Sequence, residues 1–184
     1  AMNFRIEVIC VGDDGTEQRR EVLAVSKDSL TMGTLGLTLA EGKELVANVQ
    51  TYVVEQQTTT FLAQHRQCAA CGRKYLSKGQ GRSIVHTIFG PVPVPNPRWQ
   101  RCPCQESGPQ TFRPTAQWLN GHTSPELLYI ETKWASLIPY AKVTDLLKDV
   151  LTIAQTWNQE TVRKHVHATA HRMEQALGEE KDCL

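Results

Sequence analysis

No run of this 184-residue chain approaches the roughly 18 to 20 apolar residues that a membrane-spanning helix requires, so no membrane partner is expected. The N-terminus lacks the basic patch, apolar core and cleavage site of a secretory signal. Ala1, ahead of Met2, is set aside as a cloning remnant. Without a signal the expected compartment is the reducing cytoplasm, where paired cysteines hold metal more often than they form disulfides. Neither charge sign dominates: 20 Lys and Arg stand against 19 Asp and Glu, for a net charge of +1. Hydrophobic content of 40% and charged content of 21% exclude wholesale disorder. The most informative absence is local. Between Gln56 and Gln105 there is no Asp or Glu at all, while Arg66, Arg73, Lys74, Lys78, Arg82, Arg98 and Arg101 fall in the same stretch.

Of the 6 cysteines, four form two close pairs. Cys68-Ala-Ala-Cys71 and Cys102-Pro-Cys104 have the spacing of metal knuckles, since a Cys-x-x-Cys turn brings two sulfurs onto one ion and a second turn completes a tetrahedron. The sequence between the pairs reads as the hairpin of a zinc ribbon, with Ser83 to Phe89 as one strand and Val92 to Arg101 as the return. Pro91, Pro93, Pro95 and Pro97 alternate strictly. They remove amide donors from one edge of that return strand and leave Val92, Val94 and Asn96 free to pair on the other, as suits an edge strand. Few large apolar residues lie between Cys68 and Cys104. A structural zinc ion, contributing roughly 10 to 16 kcal/mol of apparent binding energy, would offset that deficit. Four thiolates leave no open coordination position, so the zinc is expected to be structural. His65 could replace one cysteine, but at a helix end it reads as a solvated residue.

Around this module the chain is α+β. Asn3 to Val11 and Glu17 to Val25 flank Asp13-Asp14-Gly15-Thr16 and predict a β-hairpin. Thr38 and Glu41 match a capping box ahead of a long helix from Leu39 to about Arg66, whose stripe of Leu39, Val46, Val49 and Val53 would cover the hairpin or form a dimer seam. Glu106 to Pro114 reads as a linker. Ser124-Pro125-Glu126 opens a helix with a buried face of Leu127, Leu128, Ile130, Trp134, Leu137 and Ile138, ended by Pro139. A second helix over Ala141 to Leu151 and a third over Asn158 to Gly178 follow. Thr156 and Gln159 match another capping box, and Val162, Val166, Thr169, Ala170, Met173 and Leu177 share one face. The last two helices are the candidate helix-turn-helix, with Gln159, Thr161, Arg163, Lys164 and His167 placed at a DNA major groove. The basic residues Arg73, Lys74, Lys78 and Arg82 of the ribbon would contact the phosphate backbone. The expected parts are therefore 2–66 (hairpin and long helix), 67–105 (zinc ribbon) and 115–178 (helix-turn-helix bundle).

The order of several loose motifs is distinctive. Cys68-x-x-Cys71 is followed by Ser77-Lys-Gly79, Thr87-Ile-Phe-Gly90, Pro97-Arg98 and Arg101-Cys-Pro-Cys104. Then come Thr123-Ser-Pro-Glu-Leu-Leu-Tyr129, Lys133-Trp-Ala-Ser-Leu137 and Glu160-Thr-Val-Arg-Lys-His165. From about Leu37 to Leu177 the chain resembles the N-terminal DNA-binding half of the Kra-type bacterial insertion-sequence transposases. The resemblance implies recognition of mobile-element ends in duplex DNA and a nucleoid-associated location. In that family a metal-dependent acidic-triad nuclease domain follows. It would begin where this sequence stops, so no catalytic residue is assigned and no catalysis or small-molecule substrate is expected. The alternatives are a zinc-containing interaction or dimerisation module pairing with a second copy, and a stand-alone DNA-binding regulator derived from a transposase. An enzyme built from His65, His86, His122, Cys10 or Cys183 is the remotest reading, because nothing pairs those groups in sequence.

Overall fold

The computed structural model describes residues 1–105 and 108–177. It divides into two compact units, Ala1–Val85 with Val92–His122, and His86–Pro91 with Thr123–Leu184. No described helix is long and apolar enough to cross a membrane.

The first unit begins with β1 (Met2–Val11) and β2 (Glu17–Lys27), an antiparallel pair as expected from the Asp-Gly turn. Gly15 sits at φ 80, its amide bonded to the Gly12 carbonyl at 2.9 Å, while Gly12 donates to Thr16 at 2.8 Å. A residue with a Cβ would be strained at that left-handed corner. The register slips between Ile6 and Glu7, a β-bulge. α1 (Leu39–Gln64) starts at the expected capping box: the Glu41 amide donates to the Thr38 hydroxyl at 3.2 Å, and the Thr38 amide donates to the Glu41 carboxylate at 2.7 Å. The helix runs unbroken through Gln56 to Thr60. It lies on β2: Tyr52 is buried and donates its hydroxyl to the Gln18 carbonyl, Asn48 donates to the Val22 carbonyl, Arg20 pairs with Glu55, and Lys27 with Glu41. Polar clamps and Tyr52 therefore hold helix to hairpin. Leu39, Val46 and Val53 of the expected stripe stay exposed.

The rest of the unit departs from the expected ribbon. Its knuckles are not carried by one hairpin over 83–101. They hang from a three-stranded sheet in the order β3 (Ser77–Gly79), β6 (Arg98–Gln100), β7 (Thr111–Phe112), all antiparallel. The segment expected to be a linker thus supplies β7, followed by a single 3-10 turn over Pro114–Gln117 with Pro114 and Thr115 buried. Pairing to Trp99 and Gln100 satisfies backbone groups that a free linker would leave to water. The predicted strands form a separate pair, β4 (Arg82–Thr87) with β5 (Gly90–Pro95). In β5, Val92 and Val94 are buried while Pro91 and Pro93 are exposed. The far edge of β5 pairs with no described strand, as the alternating prolines require.

The second unit is helical. Ser124 caps α2 (Pro125–Ala135), its hydroxyl accepting from the Leu127 amide, with Pro125 in the first turn. α3 (Tyr140–Val150) and α4 (Gln159–Leu177) follow. Their core is Leu127, Val143, Leu147, Ile153, Trp157 and Val162, joined by Ile130, Trp134, Ile138 and Val166. Leu137, expected on a buried face, is exposed, as are Leu146 and Val150 of α3 and Met173 and Leu177 on the apolar face of α4. The expected Thr156–Gln159 capping box is replaced by Asn158, whose side-chain oxygen accepts from the amides of Glu160 and Thr161, both at 3.1 Å. Asn is a stronger cap than Thr and lies immediately before the first helical residue. A helix-turn-helix turn spans three to four residues. Here α3 and α4 are joined by the longer stretch 151–158, which buries Ile153 and Trp157.

Candidate metal centre

At Cys68 the backbone makes a tight knuckle. The Cys68 amide donates to the Arg73 carbonyl at 2.9 Å, and the Gly72 amide to the Cys68 carbonyl at 2.8 Å. Gly72 adopts φ 68, a conformation in which a Cβ is strained, so the chain reverses here and returns toward β3. The second knuckle closes with the Gln105 amide donating to the Cys102 carbonyl at 3.0 Å. The two turns bring Cys68, Cys71, Cys102 and Cys104 together, all four sulfurs lying within 4.8 Å of one another.

The spacing fits a metal and not disulfides. Neighbouring sulfurs are 3.3 to 3.5 Å apart, far beyond the roughly 2.05 Å of an S–S bond. A regular tetrahedron of thiolates with metal–sulfur bonds of about 2.3 Å has sulfurs about 3.8 Å apart. The observed cluster needs only a small expansion to match. Cys68 and Cys102 are buried while Cys71 and Cys104 face solvent, so one side of the cluster is a protein wall and the other is open to ion entry.

The protons tell the same story. Backbone amides, that of Ala70 foremost and Cys71 with it, and hydrogen bonds from Cys104 and Tyr75 lower the Cys68 thiol to about 6. Cys104 is pushed up to about 12, first by its contact with Cys102 and then by Cys71 and Cys68. Cys68 accepts hydrogen bonds that favour its thiolate, whereas the Cys104 thiol shares its proton with the neighbouring sulfurs and so resists ionisation. A divalent cation at the centre supplies the opposing charge that lets all four ionise. The donor set is all sulfur, which suits zinc and other thiophilic ions.

The wall behind the sulfurs is aromatic. Trp99 is buried, stacks on Tyr75 at 5.8 Å and meets Phe112 edge-on at 6.0 Å, with the Arg66 guanidinium 4.8 Å from its ring. Burial, with the hydrogen bond to Cys68 after it, raises the Tyr75 hydroxyl above its ordinary value. Sequence reasoning missed this cluster because Tyr75 and Phe112 lie outside the regular strands expected there. His65 is exposed, stacked on Phe61 at 4.0 Å and bonded to the Phe61 carbonyl, apart from the sulfurs.

The predicted contact residues fall in both units. In the first, Arg73, Lys74, Lys78 and Arg82 are exposed, as is Arg98. None of the five forms an ion pair with a described residue. Arg82 acts at longer range on Glu55, whose carboxyl is held low first by Arg20. In the second, Gln159, Arg163, Lys164 and His167 are exposed at the start of α4, and Thr161 is half-buried against Asn158. Glu160 sits among them unanticipated. It takes Arg163 in two bonds of 2.8 and 2.9 Å and Lys164 at 3.8 Å. The pairing with Arg163 lowers the Glu160 carboxyl and raises the Arg163 guanidinium. Also unanticipated, Glu131 is fully buried, accepting from the Trp157 indole and, at 2.7 Å, from His165 Nδ1. Cys10 is half-buried and outside the sulfur cluster, and Cys183 lies outside the described residues. No protein-family model and no curated protein matches this chain.

Proposed function

We propose that the chain is a DNA-binding module of the transposase type, in which zinc, held by Cys68, Cys71, Cys102 and Cys104, stiffens a basic ribbon against the phosphate backbone and α4 enters the major groove in the manner of a helix-turn-helix. The zinc is structural, because four thiolates occupy every tetrahedral position. What carries this reading is the state of the ribbon's cations. Arg73, Lys74, Lys78, Arg82 and Arg98 are exposed and form no close ion pair among the described residues, Arg82 reaching Glu55 only at longer range. The stretch around them contains no acid to repel phosphates. An unpaired basic surface on a rigid scaffold is the electrostatic footprint of nucleic-acid binding. On α4, Gln159, Arg163, Lys164 and His167 supply side chains suited to base edges, with Glu160 restraining the two cations until they meet a stronger anion.

Fluorescence anisotropy with duplex DNA tests this. Engaging four to five phosphates predicts a slope of about −4 in log affinity against log salt. Replacing Lys78 or Arg82 with Ala should reduce that slope by about 1 each and weaken all sequences alike. Arg163→Ala or Lys164→Ala should weaken binding more than Lys148→Ala does. Absent binding, or affinity indifferent to salt, overturns the proposal.

A further inference from the structure

The apolar surface of the N-terminal hairpin module is not explained by nucleic-acid binding. Five large apolar residues crowd into ten positions, four in the segment joining β2 to α1 and one opening α1, and remain exposed: Leu30 (78%), Met32 (89%), Leu35 (61%), Leu37 and Leu39. Beside them a groove of about 360 Å³ opens, lined chiefly by Met2, Phe4, Ile6, Val25, Leu30 and Leu37. Met2 and Phe4 are themselves about half exposed. Scattered surface leucines need no explanation, but a contiguous apolar groove and ridge mark an interaction surface.

We infer that this groove and the adjoining Met32–Leu35–Leu39 ridge form a homodimer interface, each copy's ridge seated in its partner's groove. Three observations favour a second copy of this chain as the occupant. Met32, Leu35 and Leu39 stand within two residues of the groove-lining Leu30, Thr34, Gly36 and Leu37, so a two-fold axis beside the groove brings both into play at once and closes the assembly, as an isologous contact must. The cations lining the groove are already neutralised within the chain, Arg5 by Glu21 and Lys27 by Glu41, each at 2.7 Å. Two identical grooves therefore meet with their lining cations already paired, and no lining cation remains to select an acidic partner. Finally, Met2, Phe4, Leu30, Met32, Leu35, Leu37 and Leu39 each leave 45% to 89% of their surface exposed, apolar area available toward the roughly 800 Å² that one partner contributes to a standard stable interface. The interface does not depend on DNA binding.

Sedimentation equilibrium on the full zinc-loaded chain at high salt tests it, since apolar association persists where DNA-bridged or purely ionic association is screened away. The expected species is a dimer with a melting temperature that rises with protein concentration. Met32→Asp and Leu35→Asp place a charge on side chains that are exposed within one copy. They should weaken dimerisation at least ten-fold while zinc stoichiometry and circular dichroism stay unchanged. Leu137→Asp, at an equally exposed site on the helical unit, should leave the dimer intact. A wild-type chain that stays monomeric across the micromolar range overturns the inference, including the case in which this face captures some other protein. A dimer that survives both charged variants also overturns it. DNA anisotropy is read separately, so either proposal can fail without the other.

Discussion

Removing the metal should destabilise one unit and spare the other. The ribbon sheet rests on strands of three, three and two residues, too short to be stable unaided. Its knuckles are tied to the sheet by the four cysteines, a few backbone bonds and the small Tyr75–Trp99–Phe112 cluster. The helical unit has its own core of Leu127, Val143, Leu147, Ile153, Trp157 and Val162. With free zinc about 1,000-fold above its dissociation constant, binding stabilises the folded ribbon by about 4 kcal/mol. For a unit of this size that corresponds to a melting shift of roughly 15 °C. Calorimetry before and after chelation should therefore show a lower-temperature transition that falls by that amount and a second that holds still. Trp99 is the internal reporter, because it is buried against the sulfur cluster's aromatic wall. Cys102→Ser should reproduce the chelated melt, and cobalt substitution should give the absorption of a tetrahedral thiolate complex. Protein purified without stoichiometric metal, whose melt ignores both chelation and Cys102→Ser, would refute the four-thiolate centre.

Three further outcomes follow from single side chains. Glu131→Ala removes the acceptor of the Trp157 indole and of His165 inside the helical core. It should cost about 3 to 5 kcal/mol, seen in denaturant melts and in Trp157 fluorescence; a loss below about 1 kcal/mol would show that the core tolerates both donors unbonded. Glu160→Gln frees Arg163 and Lys164 from their intrahelical partner and should tighten duplex binding several-fold if α4 enters the groove, whereas unchanged affinity places α4 elsewhere. Lys27, and after it the Thr38 amide, holds the Glu41 carboxyl below its ordinary 4.5. Its contribution is therefore complete above that value and is lost as pH falls through the lower folded value. The stability gap between wild type and Glu41→Gln should be constant near neutrality and shrink in acid, which urea melts across pH will show; a gap that widens in acid reverses the assigned sign.

Local chemistry was legible. The Thr38–Glu41 capping box, the Ser124-Pro125 helix start, the Asp-Gly hairpin and the two cysteine knuckles each depend on residues a few positions apart, so their geometry is nearly contained in their spacing. The Asn158 cap shows the limit even there. Two capping patterns overlapped, and the one adjacent to the first helical turn prevailed. Strand pairing in the ribbon was not legible, because β3, β6 and β7 are too short to carry a periodic signal and pair across long separations. The buried Glu131 was equally hidden, since an acidic residue within a helix normally faces water. Only its partners Trp157 and His165, 26 and 34 positions away, make its burial tolerable.

By itself, the sequence determined that four cysteines could share an ion, that the basic charge would gather around them, and where the helices would begin, because each rests on chain-local spacing and composition. Tertiary structure alone decided which strands carry the knuckles, that Glu131 would be buried between Trp157 and His165, and that leucines 30, 35, 37 and 39 would be left facing water. Those outcomes depend on which surfaces meet in space, and a hydrophobic or charged residue does not encode its neighbour until the chain has folded around it.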